Sequence, residues 1–134
     1  MRRIALVVVA AIISFVAAGS LSAYDESDLQ KLKTTGNCVD CDLSGTVLIH
    51  WVLSGADLSG ANLAGANLTD AFLVGTNLAG ANLSNAILEG ASLAQANLFR
   101  VKLSGTNLFF TNLTGATWTD GSRCEQRSSG WCKK

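Results

Sequence analysis

Two closely spaced cysteines are the first residues in this chain whose types and spacing suggest chemistry. Cys38 and Cys41 form a C-x-x-C motif, and Cys124 and Cys132 lie near the other end of the 134 residues. The C-x-x-C spacing is shared by thiol oxidoreductases, zinc knuckles and local disulfides. The motif alone leaves these three interpretations open, so the surrounding elements must decide among them.

The N-terminal residues 1–23 are typical of a secretory signal peptide. Two arginines precede an apolar run from Ile4 to Ala18, and small residues lead up to Ala23. The run is shorter than the roughly 20 residues that a membrane span needs. We expect cleavage after Ala23 or a few residues earlier, and export to a periplasmic, lumenal or extracellular compartment; an uncleaved anchor is the alternative. Four cysteines in a short exported chain favour disulfides.

The charge balance argues against a nucleic-acid partner. The whole chain has ten basic and ten acidic residues, and the part after residue 23 has eight basic and ten acidic residues, a net charge of −2. Binding of nucleic acid through a charged surface requires an excess of lysine and arginine. We therefore look for the function in the shape and the pattern of the chain.

Leucine recurs at every fifth position between residues 41 and 115, and no other leucine occurs in that stretch. The residue two positions before each leucine is nearly always small, and glycine stands two positions after it in nine of the fifteen repeats. The fifteen leucines are Leu43, Leu48, Leu53, Leu58, Leu63, Leu68, Leu73, Leu78, Leu83, Leu88, Leu93, Leu98, Leu103, Leu108 and Leu113.

A period of five fits neither of the regular elements. Successive leucines would rotate by about 140° around an α-helix, and an odd period alternates between the two faces of a flat strand. A chain that turns once per repeat keeps every leucine pointing inward, and glycine at each corner tolerates the dihedral angles of a tight turn. The pattern therefore predicts an all-β solenoid whose neighbouring coils stabilise one another.

The repeats resemble the pentapeptide-repeat family, as in Ala-Asp-Leu-Ser-Gly at 56–60 and Ala-Asn-Leu-Ala-Gly at 61–65. The resemblance implies a right-handed β-helix of square cross-section, with four repeats per coil and with each leucine and the small residue before it in the interior. Residues 41–117 would then form nearly four coils of this quadrilateral β-helix. We expect an N-terminal capping segment at 24–40 and a C-terminal cap at 118–134.

The chain on either side of the repeats has the features of caps. The segment from Tyr24 to Lys33 carries Leu29 and Leu32 on one helical face, behind a cluster of acidic residues and serine that suits a helix start. This pattern predicts a short capping helix. After the last repeat, the bulk of Trp118 can cover the open end, and Asp120-Gly121 predicts a turn.

The expected rod also limits how the cysteines can combine. A four-cysteine zinc site would have to join the two ends of the rod, so we expect no metal. The pairing that avoids crossing the rod is Cys38 with Cys41 and Cys124 with Cys132, and the second pair would close the C-terminal cap. Cys41 occupies an inward position of the first repeat and does not stand at a helix N-terminus, which disfavours a redox role.

Stacking every twentieth residue, a register taken from the family geometry, sorts the outward side chains onto four faces. Two faces carry mainly asparagine, serine, alanine and glycine, with columns such as Asp57, Asn77 and Asn97 that can hydrogen-bond between coils. One corner is apolar, which usually marks a partner surface. We expect this apolar corner to bind a protein, an apolar ligand or a second copy, unless the caps cover it. Its residues are Val47, Ile49, Val52, Phe72, Val74, Ile87, Phe109 and Phe110.

His50 is the only histidine of the chain, and it falls in one column with Asp70. We expect a solvated pair and not an acid and base, because no nucleophile is expected beside it and a filled rod has no concave pocket. The sequence favours an exported, non-enzymatic scaffold or interaction module, with no catalytic residue and no cofactor. Two alternatives stay open: a thiol-redox protein using the C-x-x-C motif, and a DNA mimic that binds gyrase, as the resemblance implies for longer, acidic, cytoplasmic members.

Overall fold

The computed structural model describes residues 23–134, so the expected signal peptide lies outside the described residues except for Ala23. One α-helix, α1, spans Glu26–Thr35 in this range. It is followed by a stack of short β-bridges separated by turns. No helix in the described range has the length and the apolar character that crossing a membrane requires.

The repeats form a solenoid in which one coil takes twenty residues. Twelve parallel bridges join residues that are 20 positions apart, from Asp42 with Asn62 to Asn97 with Thr117. The central leucines from Leu43 to Leu98 each donate their backbone N–H to the next coil. From the second coil onward, the outward residue before each leucine donates its N–H to the coil below. Leu63, for example, donates to the carbonyl of Asn82 at 2.8 Å. Four repeats therefore make one coil, as the family resemblance implies.

The interior of the solenoid is filled by leucine and by the small residue two positions before it. The central leucines from Leu43 to Leu98 are buried, and so is Leu113. Threonine replaces alanine in some of the small positions without leaving a polar group unsatisfied. The hydroxyls of Thr76 and Thr111 donate to leucine carbonyls of the coil below, at 2.7 and 2.8 Å.

The corner residue of every repeat has a left-handed backbone. The angle φ lies between 54° and 72° at all fifteen corners from Gly45 to Gly115. Glycine occupies nine of these corners because it adopts this region without a clash of a Cβ atom. The six others carry a side chain in spite of the strain, and the apolar residue among them is Phe110.

The helix α1 lies against the first coil. Asp25 begins the helix, because its carboxylate accepts the backbone N–H of Ser27 at 2.8 Å. Gly36 ends it with a left-handed backbone. Leu29 and Leu32 are buried on the inner face, as the sequence indicates.

Polar side chains of the N-terminal segment satisfy part of the first coil. The carboxylate of Asp28 accepts the N–H of Asp42 at 2.7 Å, and the side-chain oxygen of Asn37 accepts the N–H of Asp57 at 2.8 Å. Two of the four bridge positions of this coil therefore find partners outside the repeats.

At the other end, the tail folds back over the last coil and pairs with it in antiparallel orientation. A turn at Gly121 reverses the chain, since its φ of 86° suits only glycine. Arg123 then pairs with Thr117, and Ser129 pairs with Asn112. The C-terminal cap is thus a further strand laid on the coil.

The tail covers only half of this end. The bridge positions Lys102 and Asn107 have no partner above them among residues 23–134. The central leucines of these two faces, Leu103 and Leu108, are partly exposed, whereas the other central leucines are buried. Trp118 packs against the core but does not close these two faces.

Substitutions at Leu68 and Leu108 test this difference in burial, because the two residues occupy the same column in different coils. Replacing the buried Leu68 with alanine should lower the free energy of unfolding by about 2–5 kcal/mol. The same change at Leu108 should cost clearly less, because that side chain already contacts water. Urea denaturation followed by circular dichroism measures both values, and equal losses would mean that this end is buried in solution.

Candidate interaction surface

All eight residues predicted for the apolar corner are exposed in the folded chain. The side chains of Val52, Phe109 and Phe110 are the most exposed, with 70 to 76% of their surface accessible. The helix α1 and the tail pack on the two ends of the solenoid and leave the corner uncovered. The sequence left open the alternative that the caps cover the apolar corner. In the structure the caps do not cover it.

The structure divides the apolar corner into two clusters. In the bridge ladder that runs along one face, Val47 is followed by Asn67 and then by Ile87, so a polar side chain interrupts the apolar ones. On the next face Val52 pairs directly with Phe72. We call Val47, Ile49, Val52, Phe72 and Val74 the lower cluster, and Ile87, Phe109 and Phe110 the upper cluster.

Trp131 extends the upper cluster, and the sequence reasoning missed it. The tail places this side chain beside Phe109 and Phe110, whose ring centroids are 6.3 Å apart. Its indole is 61% exposed. Between these aromatic residues lies a groove of about 530 Å³, which we call the end groove. The sequence feature that could have identified Trp131 is its aromatic side chain in a tail that is otherwise rich in polar residues.

The end groove is bounded by the last coil on one side and by the tail on the other. Its lining residues are Thr106, Asn107, Leu108, Phe109, Phe110, Ser129, Gly130 and Trp131.

The polar faces form the side-chain ladders that the sequence suggested. The amide of Asn97 donates to the side-chain oxygen of Asn77, and Asn77 donates to the carboxylate of Asp57, both at 3.3 Å. The hydroxyl and N–H of Ser59 also donate to Asp57, and these bonds lower the pKa of its carboxyl group. These faces bond mainly within themselves, which suits a solvated wall.

His50 and Asp70 lie in one column, as the stacking predicts. The distance from Nδ1 of His50 to Oδ2 of Asp70 is 4.0 Å, and both side chains are more than half exposed. Such a separation in water makes a weak surface pair. The pair offers no pre-organised acid or base.

The four cysteines form two disulfides. Cys38 is bonded to Cys41 and Cys124 to Cys132, with Cα–Cα distances of 5.3 and 5.0 Å. Asp28 lies beside the first pair, and its side-chain oxygen and the two sulfurs are within 4.8 Å of one another. Sulfurs that are joined in a disulfide are not thiolates, so they do not serve as zinc ligands in this state.

The family model for pentapeptide repeats matches residues 37–75 and 76–115, with eight copies of the repeat. These two segments make up more than half of the chain. The chain belongs to the pentapeptide-repeat family. This chain thus has the properties of a pentapeptide-repeat solenoid: inward leucines, left-handed corners and a coil of twenty residues.

Several solved structures are similar to this pentapeptide-repeat chain. A pentapeptide repeat protein from the cyanobacterium Cyanothece 51142 is 33% identical, over 67% of this chain and 82% of that one, with a TM-score of 0.36. One from Nostoc Pcc 7120 is 34% identical, over 64% and 77%, with a TM-score of 0.37. One from the thylakoid lumen of Arabidopsis thaliana is 28% identical, over 66% and 72%, with a TM-score of 0.27. A search of curated proteins finds no match.

Two contacts within the tail that carries Trp131 add to its backbone pairing with the last coil. The Cys124–Cys132 disulfide closes a loop of the tail, and the ammonium group of Lys134 bonds to the carboxylate of Asp120. This ammonium group and the hydroxyl of Ser122 hold the pKa of Asp120 well below its ordinary value of 3.8.

The low pKa of Asp120 gives a test of the tail's position. A carboxyl whose pKa is lowered by folding stabilises the fold above its unfolded pKa and loses that contribution as the pH falls through the folded pKa. We therefore expect the tail to loosen only below about pH 4. Lys134→Ala should raise the pKa of Asp120 toward 3.8 in a carboxyl NMR titration. Lys133→Ala is the matched control and should leave it unchanged.

Phe110 gives a second test, because its φ of 57° strains a bulky side chain. Phe110→Gly should raise the free energy of unfolding by about 1 kcal/mol, because glycine removes the strain and the phenyl ring is mostly exposed. The control is Phe109→Gly, where φ is not positive and glycine should lower stability by roughly 0.5–1 kcal/mol. Denaturation curves in which both variants lose stability would contradict the assignment of strain to Phe110.

Proposed function

We propose that this chain is an exported, non-enzymatic scaffold whose apolar corner binds a partner protein or a second copy. The observation that carries the proposal is the exposure of the two clusters in the folded chain, with Phe109 and Phe110 at 70 and 75%. Isolated apolar side chains are common on protein surfaces, but grouped aromatic ones usually serve an interface. The end groove beside the upper cluster adds a concave feature that a partner side chain can enter.

A non-enzymatic role agrees with the family and with the chemistry of the candidate residues. Pentapeptide-repeat proteins are generally non-enzymatic structural modules. The Cys38–Cys41 disulfide is almost inaccessible, with exposures of 0 and 2%. Thiol exchange requires that a thiolate reach a sulfur atom. We infer that this disulfide staples the start of the first coil and takes no part in redox catalysis.

A gyrase-binding DNA mimic is the less favoured alternative. Mimicry of DNA requires a strongly negative surface, and residues 24–134 have a net charge of only −2. We infer no nucleic-acid or nucleic-acid-like role. Direct binding to purified gyrase would contradict this inference.

The two disulfides support a location in an oxidising compartment. Together with the signal peptide expected at residues 1–23, they favour export to a periplasmic, lumenal or extracellular space. We further infer that the solenoid is a right-handed quadrilateral β-helix of nearly four coils, capped by α1 at its N-terminal end and by the tail at the other.

Affinity capture from the native extract of that compartment tests the proposed function. We expect the purified protein to retain a specific partner, or to self-associate in sedimentation experiments. Phe109→Asp and Phe72→Asp should each weaken this association, because a carboxylate on either cluster must be desolvated when the surface is covered.

The matched control is Ser84→Asp, which adds the same charge to a polar face. It should retain association as the unchanged protein does. The proposed function fails if the protein is monomeric at high concentration and retains nothing, or if Ser84→Asp weakens association as strongly as the two phenylalanine variants.

A further inference from the structure

The last coil has an open half with unpaired backbone groups. On the faces of Lys102 and Asn107, the N–H groups of Leu103 and Leu108 and the carbonyl of Thr106 have no partner among residues 23–134. In every coil below, the corresponding groups bond to the next coil. A sheet edge with such groups is a template for a further strand.

The tail pairs with the neighbouring face and shows which backbone donors and acceptors a strand must present to this edge. Over the neighbouring face, the carbonyl of Ser128 accepts the N–H of Leu113 at 2.8 Å, and the N–H of Gly130 donates to the carbonyl of Thr111 at 2.9 Å. The tail runs against the direction of the coil, so the face of Asn107 is the next in its path. A strand that continued in this direction would meet the same pattern of donors and acceptors.

The tail meets only the end of that face, where Gly130 lies beside Leu108 and Phe110, and then turns away from Thr106. The Cys124–Cys132 disulfide pulls the end of the tail back, and the carbonyl of Lys133 accepts the N–H of Glu125 at 2.8 Å. The chain after Trp131 therefore bonds to the tail itself. The edge beside Trp131 stays open for this reason.

The end groove adjoins the open edge. Phe109, Phe110 and Trp131 form its apolar walls, and the partly exposed Leu108 contributes to its lining. A volume of about 530 Å³ is large enough for an apolar side chain of a bound peptide. Backbone donors beside an apolar pocket are the combination by which sheet edges recognise extended peptides.

We propose that the edge from Thr106 to Phe110 binds an extended peptide segment of a partner protein, which adds an antiparallel strand to the last coil. The inference rests on the proposed function and specifies its binding mode. A carbonyl of the peptide accepts the N–H of Leu108, and a peptide N–H donates to the carbonyl of Thr106. Alternate side chains of the peptide point to the same side, so one of them enters the end groove.

A short strand fits this site better than the end of a second solenoid. The corner at Gly105 separates the two open faces, so a straight strand pairs with one face only. The face from Thr106 to Phe110 is five residues long, and one peptide of about that length satisfies its backbone groups. The end coil of another copy would have to pass the tail, which lies over the other half of the same coil.

The test uses the naturally processed protein, labelled with ¹⁵N, and a set of capped heptapeptides that alternate threonine with valine, phenylalanine or tryptophan. We expect members of this set to slow hydrogen exchange at the amides of Leu108 and Phe110 and to change the fluorescence of Trp131. Copies of the binding peptides with N-methylated backbones lack the N–H donors and should not bind. The proposal is overturned if no peptide protects these amides.

Variants of the groove walls test the proposed peptide site. Trp131→Ala removes one wall of the end groove and should weaken peptide binding by about tenfold or more. Phe109→Ala changes the coil and not the tail, so it should weaken binding as well even if Trp131→Ala disturbs the tail. Ser84→Asp, on a polar face of the solenoid, is the control and should leave peptide binding unchanged.

Two further outcomes distinguish this inference from the proposed function. Protection of the Leu108 amide that rises with protein concentration, without any peptide, would assign the edge to a second copy and overturn the inference. If partner capture depends on Phe72 but not on Trp131, the proposed function is supported and the proposal of strand addition is contradicted. Peptide binding by a protein that captures no partner would instead contradict the proposed function.

Discussion

The backbone hydrogen bonds between successive coils are the interaction on which the rest of this structure depends. Burial of one leucine contributes about 1.5–3 kcal/mol, whereas ordering the five residues of a repeat costs roughly 5–10 kcal/mol in backbone entropy. A single repeat is therefore unstable alone. Each added coil completes the hydrogen bonds of the coil below and buries its leucines at the same time, so the two contributions arise together.

A stack held in this way has two ends at which the stabilising interaction stops. At the N-terminal end a helix covers the leucines, and the side chains of Asp28 and Asn37 replace the missing carbonyl oxygens. At the other end the tail continues the strand pairing, but only over two faces. Leu103 and Leu108 therefore stay partly exposed, and apolar surface and unpaired backbone groups coincide at this end.

The outward positions are free of the requirements that govern the interior. Most of them carry small polar residues, which bond along the rod and keep its faces solvated. The apolar corner departs from this pattern, and Phe110 departs furthest, because it places an exposed aromatic ring at a corner with a left-handed backbone. Neither property helps the solenoid to form, and both lie on the surface for which we propose binding.

The sequence by itself determined the features that depend on period and residue size. Fifteen evenly spaced leucines and nine corner glycines predicted the twenty-residue coil once the family geometry supplied four repeats per turn, and a polar start before Leu29 and Leu32 predicted α1. The exposed corner residues followed from the same register. These predictions succeed because a regular repeat makes each contact local or separated by a constant number of residues.

Only the tertiary structure decided what happens at the last coil. The tail has no period, so its antiparallel pairing, the position of Trp131 and the half that it leaves open were not predictable from local pattern. They depend on how the Cys124–Cys132 disulfide redirects the chain and on which backbone groups the tail reaches before that point. Such contacts bring together residues whose sequence separation follows no rule.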